Sequence, residues 1–283
     1  MSVSISVIIP VYRDWERLAL CLEALRRQTL APDRFEIVVA NNEPEPRPRM
    51  AGWPANARLI HEPRPGSYAA RNAAVAASGG RYLAFTDSDC QPEPQWLESG
   101  LALFKEHGGV RLTGPVEIFR ERGAGYYAYL HDLHLDFLQR EYIALGACAT
   151  ANLMVARSVF DRVGRFEEYY SGGDFAWNKQ AQAAGVPILY DASICVRHPA
   201  RRRISEIFRK RRRTAGSIRR EIPTHRFVLE RLKPPLRRLI MLRQRRVGWK
   251  DAIVLFLIVW AARLVQAQEL SLVRLGIKKP LRS

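Results

Sequence analysis

The sequence predicts an α/β fold: a mostly parallel central sheet flanked by helices, followed by a basic, partly apolar helical extension. Three observations carry this. Short apolar runs alternate with helix-period segments through the first two hundred residues, as in a parallel sheet wound with helices. Polar and acidic residues follow the ends of those runs, where open α/β sheets bind ligands. The net charge of +17 is confined to one block, since Arg197–Lys250 holds 20 Lys and Arg against 3 Asp and Glu, whereas residues 1–196 hold 20 against 23.

The elements read in order. Ser4–Tyr12 is a buried strand, and Asp14 can cap the helix that follows, whose Leu18, Leu22 and Leu25 share one face. Phe35–Asn42 and Ala57–Glu62 are the next strands, separated by a Pro-rich loop. Gly66–Gly80 is a turn, an Ala-rich helix and a Gly-Gly stop, and Tyr82–Phe85 is the fourth strand. Pro94–His107 fits a helix, Val110–Phe119 a strand, Tyr126–Tyr142 a helix and Gly146–Val155 a close-packed strand. Asp174–Ala184 is a helix ending at Gly185, with short strands at Pro187–Tyr190 and Ser193–Val196. In the basic block, Ile204, Ile207 and Phe208 mark an amphipathic helix with a cationic face. Ala252–Ala262 is continuously apolar. Its eleven residues fall short of the roughly 20 needed to cross a bilayer, so it lies in an interface, re-enters the membrane or packs on protein.

Four scattered cysteines without a C-x-x-C pair argue against a disulfide framework or zinc site and for a reducing compartment. The apolar run Val7–Val11 is short, broken by Pro10 and not preceded by basic residues, so no signal peptide is expected. A nicotinamide-binding oxidoreductase needs G-x-G-x-x-G after the first strand; this chain has PVYRDW. The basic block suits phosphates in a membrane leaflet or in nucleic acid. It has few aromatics for base stacking and runs straight into an apolar segment, so nucleic acid is not the expected partner.

The most informative stretch is RYLAFTDSD, Arg81–Asp89. A buried strand ends in Thr86, and two carboxylates then flank one small residue, Ser88. Acids so placed can hold a divalent cation, and the cation a diphosphate. Taken with VIIPVY (Val7–Tyr12), GSYAARNAAVAASGG (Gly66–Gly80), ATANLMVARSVFDRVGRF (Ala149–Phe166), SGGD (Ser171–Asp174) and His198, this order resembles the inverting nucleotide-sugar glycosyltransferases of family 2, which have a GT-A fold. The likeness covers residues 4–198, about two thirds of the chain.

The resemblance implies roles. Pro10 and Tyr12 lie where the nucleotide base stacks, and Asn41 stands where the family usually has a base-binding Asp. Gly66, Arg71 and Asn72 are placed near the ribose and diphosphate. Asp87 and Ser88 contact the donor, and Asp89 with His198 holds Mg²⁺ or Mn²⁺. Asp174 is the general base. The family more often has Glu-Asp at this point, and Gly173 would leave room for the acceptor, with Trp177 and Lys179 shaping its site. The missing Q-x-x-R-W argues against a processive synthase. His131 and His134 are read as acceptor-side or surface groups.

Residues 1–200 are thus expected to form the catalytic domain, and 201–283 a membrane-associating extension. The expected reaction moves one sugar from a nucleotide-sugar, a UDP-sugar favoured, to a glycan or lipid-linked acceptor in cell-surface polysaccharide assembly. The expected place is the cytoplasmic face of the cell membrane, peripheral or monotopic, and an oligomer is compatible with it. The alternative is a basic nucleic-acid- or membrane-binding protein carried on a catalytically silent nucleotide-sugar-binding domain.

Overall fold

The first apolar run forms a strand buried at all seven residues, β1 (Ile5–Val11). The computed structural model describes residues 3–50, 52–136, 138–168, 172–216, 218 and 223–281. After β1 come α1 (Trp15–Arg26), β2 (Phe35–Asn41), β3 (Ala57–His61), α2 (Ser67–Ala76), β4 (Tyr82–Phe85), β5 (Gln91–Pro92) and α3 (Trp96–His107). The chain continues through β6 (Arg111–Thr113), β7 (Val116–Phe119), α4 (Tyr126–Leu135), α5 (Gln139–Ala144), β8 (Leu153–Ala156), α6 (Arg157–Val163) and α7 (Gly173–Ala183). It ends with β9 (Ile188–Tyr190), β10 (Val196–Pro199), α8 (Ile204–Ala215), α9 (Thr224–Leu232), α10 (Leu236–Gln244) and α11 (Trp249–Arg274).

The main sheet has the order β3-β2-β1-β4-β8-β6-β9. β3, β2, β1 and β4 are parallel, β8 runs against both β4 and β6, and β6 pairs parallel with β9. Covered on both faces, the inner strands are mostly apolar, as parallel strands usually are. Pro10 is tolerated in this central strand for a local reason. The last β1–β4 pair is Ile8 with Phe85, and Thr86 donates to the Ile8 carbonyl. Pro10, two residues on, faces the same side beyond the end of β4, so its missing N–H leaves no ladder partner unmet. One side of the sheet packs Leu83, Phe85, Leu153 and Val155 on Phe160, Phe166 and Trp177.

Several expected elements are subdivided. The strand read over 110–119 breaks into β6 and β7 at Gly114-Pro115, where proline supplies no ladder donor. The helix read over 126–142 is two helices. The strand read over 146–155 is a 3₁₀ turn, Thr150–Asn152, leading into β8, and the one read at 193–196 starts only at Val196. Asp14 stands at the N-cap of α1, but its side chain makes no cap bond and lies 3.9 Å from Arg17.

Two compact units result: Met1–Glu117 with Leu138–Tyr169 and Gly173–His198, and Ile118–Phe137 with Tyr170–Gly172 and Pro199–Ser283. The division therefore differs from a single cut at residue 200. α4 belongs to the second unit because Tyr127, Leu130 and Leu135 pack with Ile207, Leu242, Leu255 and Ile258. The apolar run 252–262 is the middle of α11, a 26-residue helix. By length and composition alone it could cross a membrane, although 44% of its most apolar window is buried in protein.

The second unit also encloses an ion cluster. Arg201 meets the carboxylates of Asp132 and Asp136, and the Lys210 ammonium lies 2.7 Å from Asp136 Oδ2. Burial opposes the charge on Asp136, but Lys210 and Arg201 outweigh it and hold the carboxyl well below its usual range. His131 is buried against Asp132, 3.0 Å away. It is therefore part of this cluster rather than a surface group.

Candidate active site

The expected catalytic, donor and metal residues lie in the first unit, and the sheet gathers several of them at the carboxyl ends of β1, β2 and β4. After β4 the chain turns sharply. Buried Thr86 donates to the Ala151 carbonyl, and the Cys90 N–H returns to the Asp87 carbonyl at 3.1 Å. This leaves Asp87, Ser88 and Asp89 half-exposed at the strand end. Asp87 accepts a hydrogen bond from the Arg71 guanidinium, which is itself buried. Arg71 and Asp87 thus form one ion pair at the expected diphosphate position.

Asp89 takes a different partner. Its Oδ2 lies 3.4 Å from His198 Nε2, and Asp89, Cys90 and His198 place their ligand atoms within 4.8 Å of one another. One carboxylate and one imidazole suit a Mn²⁺ or Mg²⁺ ion that keeps other positions for phosphate oxygens and water. The Cys90 thiol is pushed up by burial and then by the charges of Asp89 and Asp87, so it is a neutral neighbour. Residues Asp89 and His198 therefore fit the metal that the fold implies.

At the end of β2, Asn41 is spent on its own loop. Its amide N–H donates to the Glu45 carbonyl, and its Oδ1 accepts the Glu43 N–H. Asn42 donates to the Glu62 and Arg64 carbonyls and accepts the Gly66 N–H. The acid at this end is Glu43, which receives the Trp15 indole N–H at 2.5 Å and the Arg13 N–H at 3.2 Å. Burial raises its pKa, but these bonds and Arg47 outweigh it and hold the carboxyl below its ordinary value. Pro10 is buried, and the half-buried Tyr12 ring has the Arg13 guanidinium 5.2 Å above it.

Gly66 has φ 126°, which a side chain would strain, and it starts α2. On α2, Tyr68 and Arg71 are three residues apart and share a face, with the guanidinium 5.2 Å from the ring centre. The Tyr68 hydroxyl donates to Asp174 Oδ1 at 2.8 Å. Burial, and next the Asp174 charge, push this phenol far up, so it remains a donor. A continuous line of contacts thus runs from Asp87 through Arg71 and Tyr68 to Asp174. Asp174 lies in the first turn of α7 rather than at its cap, since the helix begins at Gly173. Ser171 lies outside the described residues.

Three residues are placed differently from their expected roles. The space at Gly173 is filled by Tyr68: a Cβ there would sit 2.8 Å from the ring and 2.8 Å from the Glu167 carbonyl. Trp177 is fully buried, stacked with Phe160 and bonded to the Gly164 carbonyl, so it offers no face to an acceptor. Asn72 is buried and exchanges two hydrogen bonds with the Phe166 backbone, tying α2 to the 164–168 segment. Lys179 is exposed.

Arg111 anchors α7 from below. It is buried on the carbonyls of Gly146, Asn178 and Val186 and on Asn178 Oδ1, and Asn178 in turn donates to the Asp174 carbonyl. Burial pulls its pKa down from the usual arginine value. Sequence reasoning missed Tyr68, Glu43 and Arg111. Tyr68 had a signal, as an aromatic three residues before Arg71 in an Ala-rich helix. Glu43 in a Pro-rich loop had none.

The fold and the strand-end acids together define a GT-A-type protein. The family model for "Glycosyl transferase family 2" matches residues 6–164. The glycosyltransferase AglE of Haloferax volcanii is 35% identical over 205 residues, covering 70% of this chain and 67% of AglE. The chain spans 42% and 46% of two further curated relatives. Residues 1–349 of S. aureus TarS, solved with UDP-GlcNAc, superpose with a TM-score of 0.55 at 15% identity, covering 96% of this chain and 92% of that one. GalNAc-T7, solved with UDP, GalNAc and Mn²⁺, gives 0.56 at 15% identity, covering 71% and 44%. The chain belongs to glycosyltransferase family 2, whose members act on nucleotide-sugar donors.

Proposed function

We propose that the protein moves one sugar, with inversion, from a UDP-sugar to a hydroxyl of a membrane-proximal, lipid-linked glycan in cell-surface polysaccharide assembly. Asp174 carries the reading: it is the half-exposed carboxylate that the buried Tyr68 hydroxyl holds in place. As general base, Asp174 takes the acceptor proton while the acceptor oxygen bonds to the anomeric carbon and the bond to the diphosphate breaks. Arg71, fixed by Asp87 and Tyr68, faces the departing diphosphate. A Mg²⁺ or Mn²⁺ ion held by Asp89 and His198 would offset the charge gathering on that group. Pro10, Tyr12 and the Asn41–Glu43 loop form the nucleotide-base end. The UDP-GlcNAc bound to TarS and the UDP and Mn²⁺ bound to GalNAc-T7 support this donor and metal for the fold. The basic second unit supports work at the cytoplasmic membrane face.

The test compares UDP, GDP and dTDP, each with Mn²⁺, by thermal shift, and then follows nucleotide release from nucleotide-sugars. UDP is expected to stabilise the protein most. Asp174→Asn is expected to abolish sugar release and keep donor binding. Loss of donor binding in that variant would assign Asp174 a structural role instead.

A further inference from the structure

Among the described residues, the second unit presents an exposed apolar surface. The inner face of α11 packs Ala252, Leu255, Ile258 and Ala262 into the unit. The outer face carries Trp249, 61% exposed, with Ile253 at 48%, Leu257 at 51% and Leu264 at 37%. At these spacings the four side chains form one stripe. A helix apolar on both faces is accounted for when one side meets protein and the other a non-aqueous phase. Leu229, Leu232, Leu236 and Ile240 on α9 and α10 are each at least half exposed. They adjoin the stripe, because Trp260 donates to the Leu232 carbonyl at 3.1 Å and the Arg243 guanidinium lies 4.5 Å from the Trp249 ring. Exposed Arg226, Lys233, Arg237, Arg238, Arg246 and Lys250 lie on the same helices and at their ends.

We infer that this surface docks on an anionic lipid leaflet, with α9, α10 and α11 in the plane of the interface. The apolar side chains enter the acyl boundary and the cations meet the headgroups. The inference rests on the membrane-proximal reading and adds to it the surface and the mode. Charge selects the occupant. With 20 basic residues against 3 acidic over Arg197–Lys250, a second copy would set like charge against like, whereas an anionic leaflet neutralises it. The mode follows from the inner face of α11. Phe227 of α9 packs with Leu270, Gln266 donates to Thr214, and Glu269 pairs with Lys278 at 3.1 Å. A spanning α11 would take these polar groups and the neighbouring arginines into hydrocarbon at a large cost.

The full chain is co-sedimented with phosphatidylcholine vesicles, with and without roughly one third phosphatidylglycerol. Salt-sensitive binding to the anionic vesicles alone is expected. Ile253→Asp with Leu257→Asp should weaken it about a hundredfold, and Arg237→Glu with Arg238→Glu about tenfold or more. Both pairs are exposed, and both variants should keep the wild-type melting temperature and UDP–Mn²⁺ binding. Wild-type protein that binds no vesicle overturns this surface together with the membrane-proximal reading. Wild-type binding that both variants retain overturns the surface alone. A dimer dispersed by the Ile253→Asp, Leu257→Asp pair would assign the face to a second copy. Resistance of cell membranes to carbonate extraction of the protein would replace the in-plane mode by a spanning one.

Discussion

Removing one oxygen atom from Tyr68 separates two contributions of this side chain. In Tyr68→Phe the ring still supports the Arg71 guanidinium 5.2 Å from its centre, so the Arg71–Asp87 pair stays in place. The 2.8 Å hydrogen bond to Asp174 is lost. A hydrogen bond to a charged group contributes about 1.5–3 kcal/mol. If that energy serves to hold Asp174 for proton abstraction, turnover falls roughly 10- to 150-fold. Donor KM, and the Kd for UDP with Mn²⁺, should stay within about twofold, because nothing that touches the donor has moved. Nucleotide release from the sugar donor, with water as acceptor, measures the first, and calorimetric titration the second. Unchanged turnover, or donor affinity falling as far as turnover, would refute the idea that the hydroxyl acts through Asp174.

Gly173→Ala places a methyl 2.8 Å from the Tyr68 ring and from the Glu167 carbonyl. It should cost about 1–3 kcal/mol in thermal denaturation and reduce turnover with it; a variant as stable as wild type refutes the close contact. Asp89→Ala and His198→Ala should each weaken Mn²⁺-dependent UDP binding about tenfold or more, while binding measured in a chelator stays unchanged. Asp136→Asn leaves Arg201 and Lys210 short of an anion and should destabilise the second unit by about 3 kcal/mol or more at neutral pH. The folded Asp136 carboxyl titrates below its unfolded value, so its contribution is complete above about pH 4 and lost as pH falls further. Melting temperature against pH should therefore fall less steeply below pH 4 in Asp136→Asn than in wild type.

The parallel strands and their order along the chain were legible because their apolar runs are short, uninterrupted and ended by turn residues. The acids at the end of β4 were legible for the same reason: a strand end fixes where the next side chains point. What escaped depends on contacts between distant segments. Gly173 reads as an open space until Tyr68, 105 residues earlier, is seen to fill it. Trp177 reads as a site aromatic until the Phe160–Phe166 cluster closes over it. The compact units do not divide at residue 200 because the surfaces that α4 packs on, on α8, α10 and α11, lie far downstream in the sequence. Conversely, the eleven-residue apolar run looked too short for its composition because a helix with two apolar faces has no period to read.

Arg111 gives the first unit a particular dynamic character. Its guanidinium joins segments 35, 67 and 75 residues away through their backbone carbonyls and the Asn178 side chain. A charge in that place is tolerated only while all three segments are closed around it. Fraying of α7 by itself would strip Arg111 of the Asn178 contacts and strand a cation in the interior. The helix bearing Asp174 is therefore bound to open together with β6 and the start of β9, as one cooperative unit. Amide exchange across these three segments should share a single opening free energy, so the carboxylate is held steady by the same step that unfolds the core.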